Sequence, residues 1–168
     1  DMQSYSVYSD DHGKTWTRGA FVGTGMDENK SVELSNGDVM MNSRASSGGN
    51  GGRKVAISKD GGATYGPVTI NTDLRDPVNN ASIARMYPDA VQGSAEAKIL
   101  LFSNANATSR TNGTIRYSCD DGATWSAGKQ FKDGYMAYST VTALSDGKFG
   151  LLYEGNSNAI TFAKFDAD

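Results

Sequence analysis

The sequence predicts an all-β fold of repeated four-stranded antiparallel blades, and three observations predict it. Glycine is frequent and proline scarce, 20 against 3 in 168 residues, with many short apolar runs, the pattern of strands joined by tight turns. One eight-residue motif occurs three times, at Ser9, Ser58 and Ser118. A strand–turn–strand motif occurs twice, 110 residues apart, a distance of two repeat units of the length used by blade architectures.

Composition narrows the function classes. The chain is long enough for a sizeable core, and 38% hydrophobic against 21% charged residues excludes a disordered segment. A net charge of −3 without any basic block argues against a nucleic-acid partner. Apolar runs fall far short of a membrane span, and no signal-peptide pattern stands at the start. A single cysteine, Cys119, forbids an intrachain disulfide and leaves the compartment open.

The threefold motif reads Ser-x-Asp-x-Gly-x-Thr-aromatic. Its copies are Ser9–Trp16, Ser58–Tyr65 and Ser118–Trp125, with starts 49 and then 60 residues apart. Each predicts a hairpin turn in which glycine takes φ > 0, the aspartate accepts turn hydrogen bonds, and the aromatic packs beneath. These boxes are structural and offer too few acidic ligands for calcium; no metal or other cofactor is expected. His12 and Cys119 fall at variable box positions and are expected to be solvated. The twofold motif, Val32–Val39 and Thr142–Phe149, holds Asn36-Gly37 and Asp146-Gly147, the pairs favoured in two-residue hairpin loops.

These anchors predict the strands in order. Gln3–Ser9 and Trp16–Val22 end one blade, residues 1–22. A full blade, residues 23–72, holds Lys30–Ser35, Val39–Arg44, Lys54–Ser58 and Tyr65–Ile70. A second, residues 73–131, holds Ala81–Tyr87, Ala97–Asn104, Thr114–Ser118 and Trp125–Phe131. The last, residues 132–168, holds Tyr138–Leu144, Phe149–Glu154 and Ala159–Phe165 and lacks a fourth strand. Closed propellers often complete such a blade with an N-terminal strand. The chain is therefore expected to be the later part of a longer polypeptide, with two complete and two incomplete blades.

Antiparallel succession places the boxes and the two short hairpin loops on one face. The start of each inner strand and the end of its neighbour then meet on the opposite face. Glu28 and Tyr138 each precede the leucine of their repeat by six residues, and Arg44 and Glu154 follow it by ten. Arg110 follows the second strand of the intervening blade. Five polar groups are thus expected at one mouth, where propeller ligands bind. Glu33 is the nearest competitor to Glu28. Arg53, Arg85 and Arg116, in or beside strands, are expected in surface ion pairs, and Asn79 and Asn80 in a plain loop.

In detail, Gly25–Lys30, Val32-Glu33-Leu34, Asn42-Ser43-Arg44, Thr108-Ser109-Arg110, Ala137–Thr140 and Leu152-Tyr153-Glu154 resemble bacterial sialidases, the Asp-box family of six-bladed β-propellers. The resemblance covers essentially the whole chain, with the motifs in family order. It implies a retaining exo-α-sialidase acting on sialylated glycoproteins, glycolipids or oligosaccharides, and a secreted or cell-surface location. It implies Tyr138 as nucleophile, Glu28 as its activating base, and Arg44 and Arg110 as second and third arginines on the substrate carboxylate. Glu154 is implied as the carboxylate that holds the first arginine.

Two family elements have no counterpart. No Arg-Ile-Pro motif supplies the first arginine, and no loop aspartate supplies the acid/base. The resemblance thus implies the N-terminal half of the same propeller as a partner, with the chain alone inactive.

The residue types suit the reaction. Sialic acid carries a carboxylate on its anomeric carbon, so a neutral phenol avoids the repulsion an attacking carboxylate would meet. A phenol near pKa 10 needs a base, and arginine's planar fork matches a carboxylate in two hydrogen bonds. The alternative class is a non-catalytic Asp-box propeller serving as a sialic-acid-binding or scaffold module. Sialic-acid transfer is a nearer variant that needs acceptor aromatics the sequence does not reveal.

Overall fold

The computed structural model describes residues 2–156 and 159–167. Antiparallel sheets account for nearly all its regular structure, with one short 3-10 turn at Glu96–Lys98. Strands β1 (Ser4–Tyr8) and β2 (Thr17–Val22) form a hairpin. A four-stranded blade follows: β3 (Met26–Glu33), β4 (Val39–Ala45), β5 (Gly52–Ser58) and β6 (Thr69–Arg75), paired in chain order. The next holds β7 (Ser82–Arg85), β8 (Leu100–Ala105), β9 (Thr111–Ser118) and β10 (Lys129–Tyr135). A three-stranded sheet closes the order with β11 (Ser139–Ala143), β12 (Phe149–Asn156) and β13 (Ala159–Phe165).

The first strands of successive sheets, β3, β7 and β11, lie against one another, as in a propeller whose blades pack face to face around an axis. Strand alternation supplies two faces per blade, and each buries in a different interface. Met40 and Val55 pack toward the second full blade with Ile83, Leu100 and Phe102. Their chain neighbours Met41 and Ala56 turn the other way, onto Val22 and Met26. Leu101 likewise leaves its neighbours to join Val141, Phe149 and Leu151 of the last sheet. Fully burying such a side chain contributes roughly 1.5–3 kcal/mol, so these seams hold the blades in place.

The boxes form the hairpins β1–β2, β5–β6 and β9–β10. In each, the serine hydroxyl donates to the aspartate at 2.8 Å, as for Ser58 and Asp60. The threonine amide and hydroxyl donate to its two oxygens. The hydrogen bonds from Thr15 and from Thr64, followed by those of Ser9 and Ser58, pull the Asp11 and Asp60 carboxyls down to about 2. Not only the glycine but also the residue before it is left-handed: His12, Gly61 and Asp121 have φ of 59°, 69° and 58°. His12 and Cys119 are exposed.

Several expectations about the strands need correction. Ala97 and Lys98 lie in the 3-10 turn, so β8 starts only at Leu100, and β3 starts at Met26 rather than Lys30. The outer strands begin later than the box aromatics: β6 starts at Thr69 and β10 at Lys129. Pro67 has no amide to donate to a ladder, and Gly66 and Ser126 donate back to Ile57 and Tyr117 instead. The aromatics also differ. Trp125 packs on Phe102 with ring centroids 5.6 Å apart, whereas Trp16 is 64% exposed.

Box turns and short hairpin loops share a face. Asp121, inside the third box, accepts the amide and hydroxyl of Ser35 at 2.8 and 2.6 Å, which ties it to the β3–β4 loop.

Candidate active site

The opposite face carries the site. Strand β3 pairs with β4 in regular register from Asn29↔Ser43 to Glu33↔Val39, and again at Met26↔Ala45. Between these points two residues, Asp27 and Glu28, oppose one, Arg44, which is a β-bulge. Ser43 stitches the bulge, accepting from the Asp27 amide at 3.1 Å and donating to its carbonyl at 3.2 Å. Consecutive strand residues ordinarily point to opposite faces. The bulge breaks that rule, and both carboxylates reach Arg44. Its Nη1 lies 3.0 Å from Glu28 Oε2, and its Nε lies 3.3 Å from Asp27 Oδ2.

Arg44 Nη1 also donates to the Tyr138 hydroxyl at 3.2 Å. Tyr138 stands just before β11, and Glu154 of β12 grips it twice. The Tyr138 amide donates to Glu154 Oε2 at 3.3 Å, and the Glu154 amide donates to the Tyr138 carbonyl at 2.9 Å. Arg110, before β9, sets its guanidinium carbon 5.4 Å from the centre of the Tyr138 ring, within cation–π range. The structure therefore gathers Glu28, Arg44, Arg110, Tyr138 and Glu154. Glu33 sits at the far end of β3, exposed and 4.0 Å from Arg85.

Charges within the cluster shift its proton affinities. Hydrogen bonding to the Glu28 carboxylate, then burial and the Glu28 charge, raises the Tyr138 phenol above its ordinary value; Arg44 and Arg110 act in the opposite sense. Burial works against the Arg44 charge, but the Glu28 hydrogen bond and the charges of Asp27, Glu28 and Tyr138 outweigh it and raise its pKa. The site can thus hold a neutral phenol beside a carboxylate base and two guanidinium groups. Among the described residues no cluster of His, Cys, Asp and Glu could hold a metal ion.

Sequence reasoning missed two features. Asp27 was legible only as the neighbour of Glu28, because the bulge that turns it inward leaves no local signature. Arg53 is not a surface residue: it is 1% exposed and paired with equally buried Asp76 at 3.3 Å. A signal did exist, since Arg53 shares strand parity with Val55 and Ile57, which face the core. Burial lowers its pKa to about 10, against the pull of Asp76, so it stays charged at neutral pH. Arg85 pairs with exposed Glu33 at 4.0 Å and also donates to the Ala90 carbonyl, whereas Arg116 donates to the carbonyls of Ser126 and Ala127. Asn79 is buried and donates to the Ala137 carbonyl at 2.6 Å, whereas Asn80 is half-buried.

Blades paired in chain order, box hairpins on one face and a polar cluster on the other define a partial β-propeller of the sialidase type. Residues 1–151 match the BNR repeat-like domain family, and the chain belongs to it. It is 62% identical over 98% of its length to a sialidase of Micromonospora viridifaciens, and spans 25% of that protein. Among solved structures, the Hadza microbial sialidase Hz136 superposes with a TM-score of 0.82 at 32% identity, over 96% of this chain and 31% of that one. The intramolecular trans-sialidase from Ruminococcus gnavus, in complex with oseltamivir carboxylate, superposes with a TM-score of 0.75 at 27% identity, over 96% and 37%.

Proposed function

We propose that this chain carries the nucleophile side of a retaining exo-α-sialidase active site and acts within a longer propeller on sialylated glycoconjugates. The observation that carries the reading is the meeting of Glu28, Arg44 and Tyr138 on one rim, with Arg44 Nη1 within 3.0 Å of the acid and 3.2 Å of the phenol. Similarity to sialidases of the same family supports it.

In this reading Arg44 and Arg110 bind the substrate carboxylate beside the Tyr138 ring. The phenol oxygen attacks the anomeric carbon, its proton passes to Glu28, and the bond to the departing sugar oxygen breaks. That oxygen takes a proton from an acid supplied outside this chain. Water then attacks the tyrosyl–sugar bond from the vacated side, gives its proton to that same group, and Tyr138 recovers its proton from Glu28. Two displacements at one carbon retain configuration. The raised phenol pKa keeps Tyr138 neutral toward the approaching anion, and Glu28 removes the proton only as the new bond forms. A secreted or surface location suits substrates of this kind.

A fluorogenic sialoside tests the proposal. No turnover is expected from the chain alone, and turnover is expected once the N-terminal half of a homologous propeller is supplied. Tyr138→Phe in that assembly should lower kcat by several orders of magnitude through loss of the nucleophile. Activity within tenfold of the parent would overturn the role given to Tyr138.

A further inference from the structure

We propose that Asn79, locked in place by the buried Arg53–Asp76 pair, is a positioning residue that sets Tyr138 and, through the same pair, the strand end bearing Arg44. The assignment rests on the functional reading above and deepens it. Three observations carry it.

First, the peptide joining Ala137 to Tyr138 is gripped on both sides by side chains. Its carbonyl accepts Asn79 Nδ2 at 2.6 Å, and its amide donates to Glu154 Oε2 at 3.3 Å. Both grips together fix the plane from which the Tyr138 side chain departs, and Ala137 itself is fully buried.

Second, Asn79 is held by a buried hydrogen-bond network. Its amide donates to Asp76 Oδ1 at 2.9 Å, and its carbonyl accepts Arg53 Nη1 at 2.7 Å. Arg53 Nε donates to Asn42 Oδ1 at 2.8 Å. Asp76 Oδ2 takes the amide of Ala45, the residue after Arg44, at 2.9 Å. One buried ion pair therefore spans from the arginine strand to the nucleophile. Such a pair is a poor source of stability compared with apolar packing, and a role in fixing geometry is one reason to keep it.

Third, the loop is strained. Val78, between Pro77 and Asn79, has φ of 59°, which a β-branched residue rarely adopts. Strain of this kind persists where surrounding contacts over-determine the backbone, and it collects at functional sites. Here the contacts on either side are those of Asp76 and Asn79.

The test compares Asn79→Leu, which has no donor, with Asn79→Ser, whose hydroxyl ends one atom short of the Nδ2 that contacts the Ala137 carbonyl at 2.6 Å. Ring-labelled tyrosine NMR, with Tyr138 assigned through Tyr138→Phe, reads the phenol titration without any need for activity. Tyr138 is expected to lose its upward shift and move back toward about 10, because the Glu28 contact that sustains it loosens. In the complemented sialoside assay kcat should fall about 10- to 100-fold with KM within about threefold, since a displaced nucleophile matters only at the transition state. Variants that melt earlier yet keep the parent titration and kcat would overturn the assignment. If Asn79→Leu does not fold, the serine variant decides by the same two readouts. Absence of sialoside turnover in the parent assembly would sink the functional reading, whereas the phenol titration would still judge the placement of Tyr138.

Discussion

At Arg53 the folded chain places a guanidinium where water does not reach. Its three hydrogen-bond acceptors come from Asn42, Asp76 and Asn79, and removing the cation would strand Asp76. Arg53→Met should cost about 3–5 kcal/mol, the usual penalty for breaking one half of a buried pair. Denaturant unfolding would check this; a loss below about 1 kcal/mol would show that Asp76 finds another partner. The neighbouring Val78 offers the opposite test. It is 45% exposed and left-handed, so its side chain adds strain without much burial. Val78→Asn should raise stability by about 1 kcal/mol, because asparagine tolerates that conformation. An unchanged or lower melting temperature would mean that the valine makes compensating contacts.

Among the elements, the box hairpins and the β3–β4 bulge do different work. The box aspartates Asp11 and Asp60 have carboxyls held near 2 by threonine and serine donors. Folded values below the unfolded value near 3.9 mean that the stabilisation is present above about pH 4. It is lost as pH falls through the folded value. Asp60→Asn should therefore flatten the pH dependence of stability between about pH 4 and pH 2, measured by unfolding at stepped pH. A slope equal to the parent's would place the acid sensitivity elsewhere. The bulge is a matter of register. Deleting Asp27 would leave one residue opposite Arg44 instead of two. Glu28 alone would then oppose Arg44, without the second carboxylate that now lies 3.3 Å from its Nε, and the strand before it would shift its register. Such a deletion should abolish turnover in the complemented assay while far-UV circular dichroism keeps its β signature. Retained activity would show that the bulge is dispensable.

Across the whole molecule, two outward faces stand uncovered. Tyr5, Val7 and Phe21 on the β1–β2 hairpin are 45%, 52% and 55% exposed, and Ile160 and Phe162 on β13 are 76% and 57% exposed. Among the described residues, the apolar faces of the two full blades contribute instead to the interblade clusters. Exposed apolar surface on this scale promotes association. The 168-residue chain alone should self-associate with rising concentration in sedimentation experiments, and addition of the complementary propeller half should suppress it. A chain that stays monomeric at high concentration would show that these faces do not need a cover.

The amino-acid sequence by itself determined the blades, because box turns and strand alternation are local: the aspartate bonds its own turn, and the apolar residues repeat with period two. It also marked Glu28, Arg44, Arg110, Tyr138 and Glu154, since their positions relative to repeated strands put them on one face. What only the tertiary structure decided was contact across sheets. A bulge turned Asp27 inward, a core cavity took in Arg53 with Asp76, and Asn79 reached Ala137, 58 residues away. Those choices depend on which buried donor lies opposite which buried acceptor once the blades are packed, and no stretch of a single strand contains that information.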